Sequence, residues 1–253
     1  MTMTGEGRFG PDLVFGLAFR TIGRGLGRFA LLFLLTILAG IVVFGTLGIV
    51  WMLTVGHADL QAGLRQHPAF WILAALGLLV YLLAMVAIHL ATVGSAYALM
   101  RGRPVSLSAL FGLAWQRLWP AIGTGILAML GILVGLALFI VPGLILLVRW
   151  WVWAPACLVE GHGSVAALKR SAALTRGRRW TVFWLVLITL LVAGALNQIA
   201  DVLVEVQAGF AILSVLIYGF TTTFWSVLVA AIYVGLRDRA AQPAVPDLVM
   251  QRA

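Results

Sequence analysis

Arg149, His89, Asn197, Gln198 and Asp201 stand within or at the edges of long apolar runs, where polar chemistry is least expected. An ionisable or strongly polar group in hydrocarbon is costly, so it faces a partner, a water-filled path or the headgroups. Arg149 is the one charge placed clearly inside such a run, six residues after Gly143. That is about 9 Å of helix, close enough for its side chain to snorkel to headgroups. Asp201 offers the other solution, a charge pair with Arg149. For His89, Asn197 and Gln198 the simplest chemistry is a hydrogen bond to a neighbouring helix.

A second set of residues is basic. "GSVAALKRSAALTRGRRW", Gly163 to Trp180, carries Lys169, Arg170, Arg176, Arg178 and Arg179, and "VFGLAFRTIGRGLGRF" carries Arg20, Arg24 and Arg28. Cations beside apolar runs engage anionic headgroups, orient the chain in the membrane, or do both. These eight are the candidate lipid-contacting residues.

The inventory for catalysis is thin. There is no H-E-x-x-H, G-x-S-x-G or P-loop, and no pair of carboxylates within one apolar run. His57, Asp59 and His67 share a loop, but their spacing matches no metal-ligand pattern. The single cysteine, Cys157, precludes an intramolecular disulfide. The expectation is therefore no catalytic residue, no cofactor and no metal.

Composition says what must position these groups. Apolar residues make up 63% of the 253 positions and charged residues 10%, with a mean hydropathy of +1.10. Soluble domains average about 45–50% apolar and about 25% charged. This chain is an integral membrane protein. The net charge of +9 would raise nucleic acid as a partner in a soluble chain. Beside membrane spans it points instead to anionic lipid, and nucleic acid is excluded.

A helix needs roughly 20 residues to cross the bilayer core. Runs at about 29–55, 70–99, 120–141, 144–159, 181–200 and 210–236 qualify or nearly do. Pro142-Gly143 predicts a tight turn between the third and fourth. With six spans and both termini on one side, that side holds fifteen of the 17 basic residues; Arg65 lies opposite and Arg149 within a span. The positive-inside rule makes the termini cytoplasmic. Asp59, Asp201 and Glu205 fall on the far side.

Three related segments precede the odd spans: "VFGLAFRTIGRGLGRF", "SLSALFGLAWQRLW" and "SVAALKRSAALTRGRRW". Each ends with a basic residue close before an aromatic one. They predict a threefold repeat, with units at about 11–99, 105–159 and 163–236, in a single helical domain over 1–236 with a short tail at 237–253. Each unit would begin with an amphipathic interfacial helix. On the first, Phe15, Phe19, Ile22 and Leu26 form the apolar stripe. On the second it is Leu107, Leu110, Phe111, Ala114, Trp115 and Leu118. The third is weaker, with Val165, Leu168 and Ala172 set against Arg170 and Ala173. The alternative is that these helices are connectors packed on the bundle.

The run "VPGLILLVRWWVWAPACLVEGHGSVAALKRSAALTRGRRW" resembles the glycerophosphoryl diester phosphodiesterase membrane domain and related bacterial inner-membrane proteins. It has a Pro-Gly hairpin, a span with an arginine, a proline near its end, a Glu-Gly, then a Lys-Arg-Ser and Thr-Arg-Gly-Arg-Arg-Trp. The likeness is best over 141–181. It implies the membrane part alone: the 17 residues from Arg237 cannot hold a phosphodiesterase barrel, which takes about 250. The expected protein is thus a non-catalytic, six-span, all-α protein of the bacterial cytoplasmic membrane, in lipid-associated support or regulation. A transporter or channel for a small, possibly anionic solute is the alternative, and an intramembrane enzyme the third reading. Protein partners are unknown from sequence.

Overall fold

The computed structural model describes residues 10–55, 68–103, 105–239 and 249–252. The loop expected at 56–69 lies almost wholly outside these residues, and His57, Asp59, Arg65 and His67 with it. The described chain is all helix: α1 Pro11–Val55, α2 Pro68–Met100, α3 Leu107–Gln116, α4 Leu118–Leu138, α5 Ile140–Arg149, α6 Trp153–Val159, α7 Ser164–Leu174, α8 Arg179–Val206 and α9 Ala211–Arg237. Short 3₁₀ turns occupy Ala208–Phe210 and Met250–Arg252. Six stretches are long and apolar enough to cross a membrane, with α5 and α6 together making the fourth.

The core is concentrated at one end of the bundle. Along α2, Leu90 to Ala98 are buried without interruption, and along α9 so are Ser226 to Leu236. Nearer the start of α2, Leu76, Leu78, Leu79, Val80 and Leu82 are 47–58% exposed, and Leu191 and Val192 of α8 are 65% and 54% exposed. A helix exposed and apolar on this scale requires lipid as its solvent. A helix buried on every side needs neighbours all round, and the short helices supply them. In α3, Leu110, Leu113 and Ala114 are buried; in α7, Ala167, Leu168, Ser171 and Leu174; and every residue from Ala154 to Val159 of α6.

These short helices therefore form a collar around the ends of α2 and α9. The first segment belongs to it as well. Helix α1 loses helical geometry at Gly25 (φ −110°, ψ 16°), where a Cβ would stand 2.5 Å from a methyl of Leu99. Before this kink Val14, Ala18 and Ile22 are buried, and Phe15 and Phe19 pack on Phe224 of α9 at 6.3 and 5.1 Å between ring centroids. Of the predicted apolar stripe, Ile22 faces the core, whereas Phe19 and Leu26 are 55% and 64% exposed. On α7 the expected face is rotated: Val165 is exposed and Ser171 is buried.

The hairpin between the third and fourth spans turns three residues earlier than Pro142-Gly143 predicts. Phe139 is the extended residue (φ −160°, ψ 149°), and Pro142 sits in the first turn of α5. Proline is tolerated there because the first-turn amides have no intrahelical acceptor. Gly143 serves close approach instead: a Cβ on Gly135 would lie 2.9 Å from its Cα. The Gly131/Gly135 face is thus used within the hairpin, Gly131 against the ring of Trp150 and Gly135 against Gly143.

The fourth span then breaks at Trp150–Val152, between α5 and α6. Ser171 of α7 staples the break. Its hydroxyl donates to the Arg149 carbonyl at 2.9 Å and accepts from the Val152 amide at 3.2 Å, and Thr175 reaches the same carbonyl at 3.4 Å.

Candidate functional site

Where the collar meets the ends of α2 and α9, one carboxylate gathers four donors. Glu160 follows α6, and Gly161 beside it takes a left-handed conformation (φ +72°), the usual way for a glycine to end a helix. This turn directs the Glu160 side chain inward, where it is fully buried. Arg170, midway along α7, grips it with both arms of its fork: Nε donates to Oε2 at 2.6 Å and Nη2 to Oε1 at 3.1 Å. His162 Nε2 meets Oε2 at 2.9 Å, and the hydroxyl of Tyr233 on α9 donates to Oε1 at 2.7 Å. A charged acid needs such donors when it leaves water. Burial alone would raise the Glu160 pKa; the Arg170 and Tyr233 hydrogen bonds outweigh it and hold the carboxyl below its ordinary value.

The network continues across the ends of the long helices. Tyr97 of α2 lies against Tyr233, with ring centroids 5.9 Å apart. Arg237 donates to the Tyr97 hydroxyl at 2.7 Å and lies near both rings. Arg101 covers the Tyr97 ring at 5.4 Å and donates to Asp238 at 2.6 Å. Arg117, between α3 and α4, donates to the Gly161 carbonyl at 2.8 Å, and Ser164 to that of Pro120 at 3.0 Å. The ends of α2, α6 and α9 and the start of α4 therefore meet at one end of the molecule. That is the same-side relation an even number of spans demands.

The residues singled out from the sequence divide into two groups. Arg170 does not face headgroups: its guanidinium is committed to Glu160 and its side chain is 12% exposed. Arg20, Arg24, Lys169, Arg176, Arg178 and Arg179 are exposed, and Arg28 is half-buried with Nη1 enclosed and without a hydrogen-bond partner. His89 meets Ser226 of α9 at 3.1 Å, and Asn197 accepts from Thr221 of α9 at 3.0 Å, both as interhelical bonds. Gln198, next along α8, is exposed.

The Arg149–Asp201 pair is not formed. Asp201 accepts a hydrogen bond from Tyr218 of α9, and Arg149 Nε is buried with no partner. The helical repeat explains it. Asn197, Ala200 and Asp201 lie on one face of α8, and all three bond to α9, Ala200 through its carbonyl to Ser214. Arg149 ends α5, whose last carbonyl is held on α7.

Glu160, His162, Tyr97, Tyr233, Arg101, Arg237 and Asp238 were not among the predicted site residues. One signal was available: Glu160 is the only acid between Asp59 and Asp201, and it lies among basic residues. Among the described residues no group of three or more His, Cys, Asp or Glu side chains could hold a metal. Both oxygens of Glu160 are engaged, so the cluster acts as a clasp joining α7 to α9 through the end of α6.

Fold and clasp define a class, a six-span helical membrane protein with a collar of short helices at its polar end. Comparison with family models, with curated proteins and with solved structures gives no match.

Proposed function

We propose that the chain is a non-catalytic, lipid-associated support or regulatory protein of the bacterial cytoplasmic membrane, with its collar and both termini in the cytoplasm. One observation carries this reading: the collar end bears exposed cations that make no ion pair among the described residues. Glu160 is held by Arg170 and Asp238 by Arg101, while Arg176, Arg178 and Arg179 are exposed directly before the apolar surface of α8. Trp180, 75% exposed, and Trp184, 52% exposed, come next in the chain. Arginine beside exposed tryptophan at the end of an apolar helix suits an interface of anionic headgroups. A shorter helical segment precedes the first, third and fifth spans, the part of α1 before its kink, α3 and α7, and we read these as the starts of three units related by repetition. The resemblance over 141–181 to the phosphodiesterase membrane domain supports a membrane module of the same kind.

The test is the lipid composition of the purified protein. Enrichment of anionic lipid over the bulk membrane, lost when Arg176, Arg178 and Arg179 become glutamine, is the expected result. Co-purified lipid matching the bulk would reject it. The rival, a transporter for a small anionic solute, draws on the broken fourth span, since interrupted helices form binding sites in transporters. Here Ser171 satisfies two backbone groups of the break, the Arg149 carbonyl and the Val152 amide. Flux of an anion through proteoliposomes, abolished in Arg149→Gln, would establish the rival.

A further inference from the structure

The exposed cations of the collar attract anionic lipid diffusely, but four arginines converge by backbone position on the 175–180 turn, which suits something narrower. The Arg149 carbonyl is bonded to Ser171 and Thr175, which puts Arg149 beside the end of α7. Two residues beyond Thr175, Gly177 takes a left-handed conformation (φ +80°) and reverses the chain. Arg176, Arg178 and Arg179 project from this reversal, all exposed. No ion pair among the described residues involves any of these four arginines. Arg149 Nε is enclosed yet makes no hydrogen bond. Enclosure without a partner is costly for a guanidinium N–H, because nothing inside the protein offsets its desolvation.

The start of α8 adds to this. Its first backbone bond runs from the Val182 amide to the Arg178 carbonyl, and Arg178 provides no side-chain cap. The amides of Arg179, Trp180 and Thr181 precede the ladder, at the positive end of a 28-residue helix dipole. Donors of this kind, planar guanidinium forks and free amides, match the oxygens of a phosphate. Beyond the turn the surface is apolar and exposed: Trp180, Trp184, Ile188 and Leu191. A phosphate seated here would have hydrocarbon alongside it.

We propose that Arg149 and the Arg176–Trp180 turn form a discrete seat for the phosphate of one anionic phospholipid, its acyl chains lying along α8. This rests on the lipid-associated reading and adds to it a site, a stoichiometry and a role for Arg149. Arg149, half-buried, supplies the accessible nitrogens of its guanidinium, whose enclosed Nε has no counter-charge in any ion pair among the described residues. The exposed arginines close over the phosphate, and Ser171 and Thr175 hold the Arg149 backbone in place.

The experiment uses the full chain in nanodiscs of phosphatidylcholine doped with phosphatidylglycerol, released into detergent and weighed by native mass spectrometry. One retained phosphatidylglycerol is expected. A basic group near an anionic surface contributes about 1 kcal/mol, so Arg149→Gln should lower retention about fivefold and the triple Arg176, Arg178, Arg179→Gln variant far more. Arg20→Gln with Arg24→Gln should leave retention unchanged, and inorganic phosphate should not displace the lipid. Wild-type retention in Arg149→Gln overturns the seat. Equal losses from Arg20/Arg24 and from the turn also overturn it, while leaving the broader lipid-associated reading standing. Displacement by inorganic phosphate converts it to a free-anion site and overturns the lipid assignment. Should Arg149→Gln melt below the assay temperature, Arg178→Gln with Arg179→Gln, both exposed, carries the same test.

Discussion

Replacing Arg170 by methionine should unfasten the collar, and the size of the effect follows from burial. Glu160 is fully buried and receives two of its four bonds from Arg170, so the variant leaves a carboxylate with only His162 and Tyr233. Removing one partner of a buried ion pair costs about 3–5 kcal/mol. For a domain of this size about 2–4 °C accompanies each kcal/mol, giving a fall in melting temperature of roughly 6–20 °C. Glu160→Gln keeps the acceptor for Tyr233 and loses the charge, which should cost about 1.5–3 kcal/mol. The double variant has no stranded charge and should be more stable than the sum of the two, by about 0.5–3 kcal/mol. The pH dependence has a definite sign. The Glu160 pKa is lowered in the folded protein, so its contribution is complete above the unfolded glutamate value of about 4.3. It fades only as pH falls from there through the folded value. The assay is intrinsic fluorescence melting of the detergent-solubilised protein at several pH values. Strict additivity of the three variants, or a wild-type melt unaffected by acid over that window while the detergent control is stable, would refute the clasp.

Ser171→Ala should cost about 1–3 kcal/mol, because the Val152 amide loses its buried acceptor; thermal melting reads it, and an unchanged midpoint would show that the break needs no staple. Gly135→Ala should be at least as damaging, since its Cβ would meet the Gly143 backbone at 2.9 Å, whereas Gly194→Ala, with open space around it, should be neutral or slightly stabilising. Asp201→Asn and Tyr218→Phe should behave as one unit in a double-mutant cycle, while Asp201→Leu with Arg149→Leu should be additive. With Cys157 replaced by alanine, a cysteine at position 103 or 176 should react with an impermeant maleimide only in inside-out vesicles; labelling from the outer face of intact cells would invert the proposed orientation.

Much of the fold was legible because lipid is an undemanding solvent to read. A run of apolar residues long enough to cross it announces itself, and six such runs correspond to six helical stretches. Some polar contacts were legible as a type: His89 bonds from α2 to α9 and Asn197 from α8 to α9, the interhelical bonds expected of polar groups in apolar runs, whereas Gln198 is exposed. What periodicity could not supply was the role of the short helices. An amphipathic pattern says that one face is apolar without saying whether lipid or protein covers it. In α7 and just beyond it the decisive residues are Ser171 and Thr175, which are polar by type and buried by position. They lie outside the apolar stripe of Val165, Leu168 and Ala172, and their work is to satisfy backbone groups that a broken span exposes some twenty residues earlier in the chain.

The misplaced Arg149–Asp201 pair has the same origin. Counting along the fourth run assumed one straight helix, on which Arg149 falls near the outer hairpin. The break between α5 and α6 removes that assumption, and two features of the run from Leu144 to Val159 signal it: Pro155, which has no amide to give the Trp151 carbonyl, and three aromatic residues at Trp150, Trp151 and Trp153. Such bulk is hard to place in a straight span against the small residues of α4, whereas a turn lets Trp150 fill the space over Gly131, Trp153 approach Gly125, and Trp151 swing to Trp225 of α9. A break in a span leaves backbone groups that lipid cannot satisfy. The chain solves this by bringing α7 back against the break, and α7 can stay there because Arg170 is clasped to Glu160 and, through it, to α9. One acid in the whole stretch from Asp59 to Asp201 is therefore enough to couple the broken span, the collar and the last helix. Arg176, Arg178 and Arg179 take no part in that coupling: they stand exposed at the point where the chain re-enters the apolar layer.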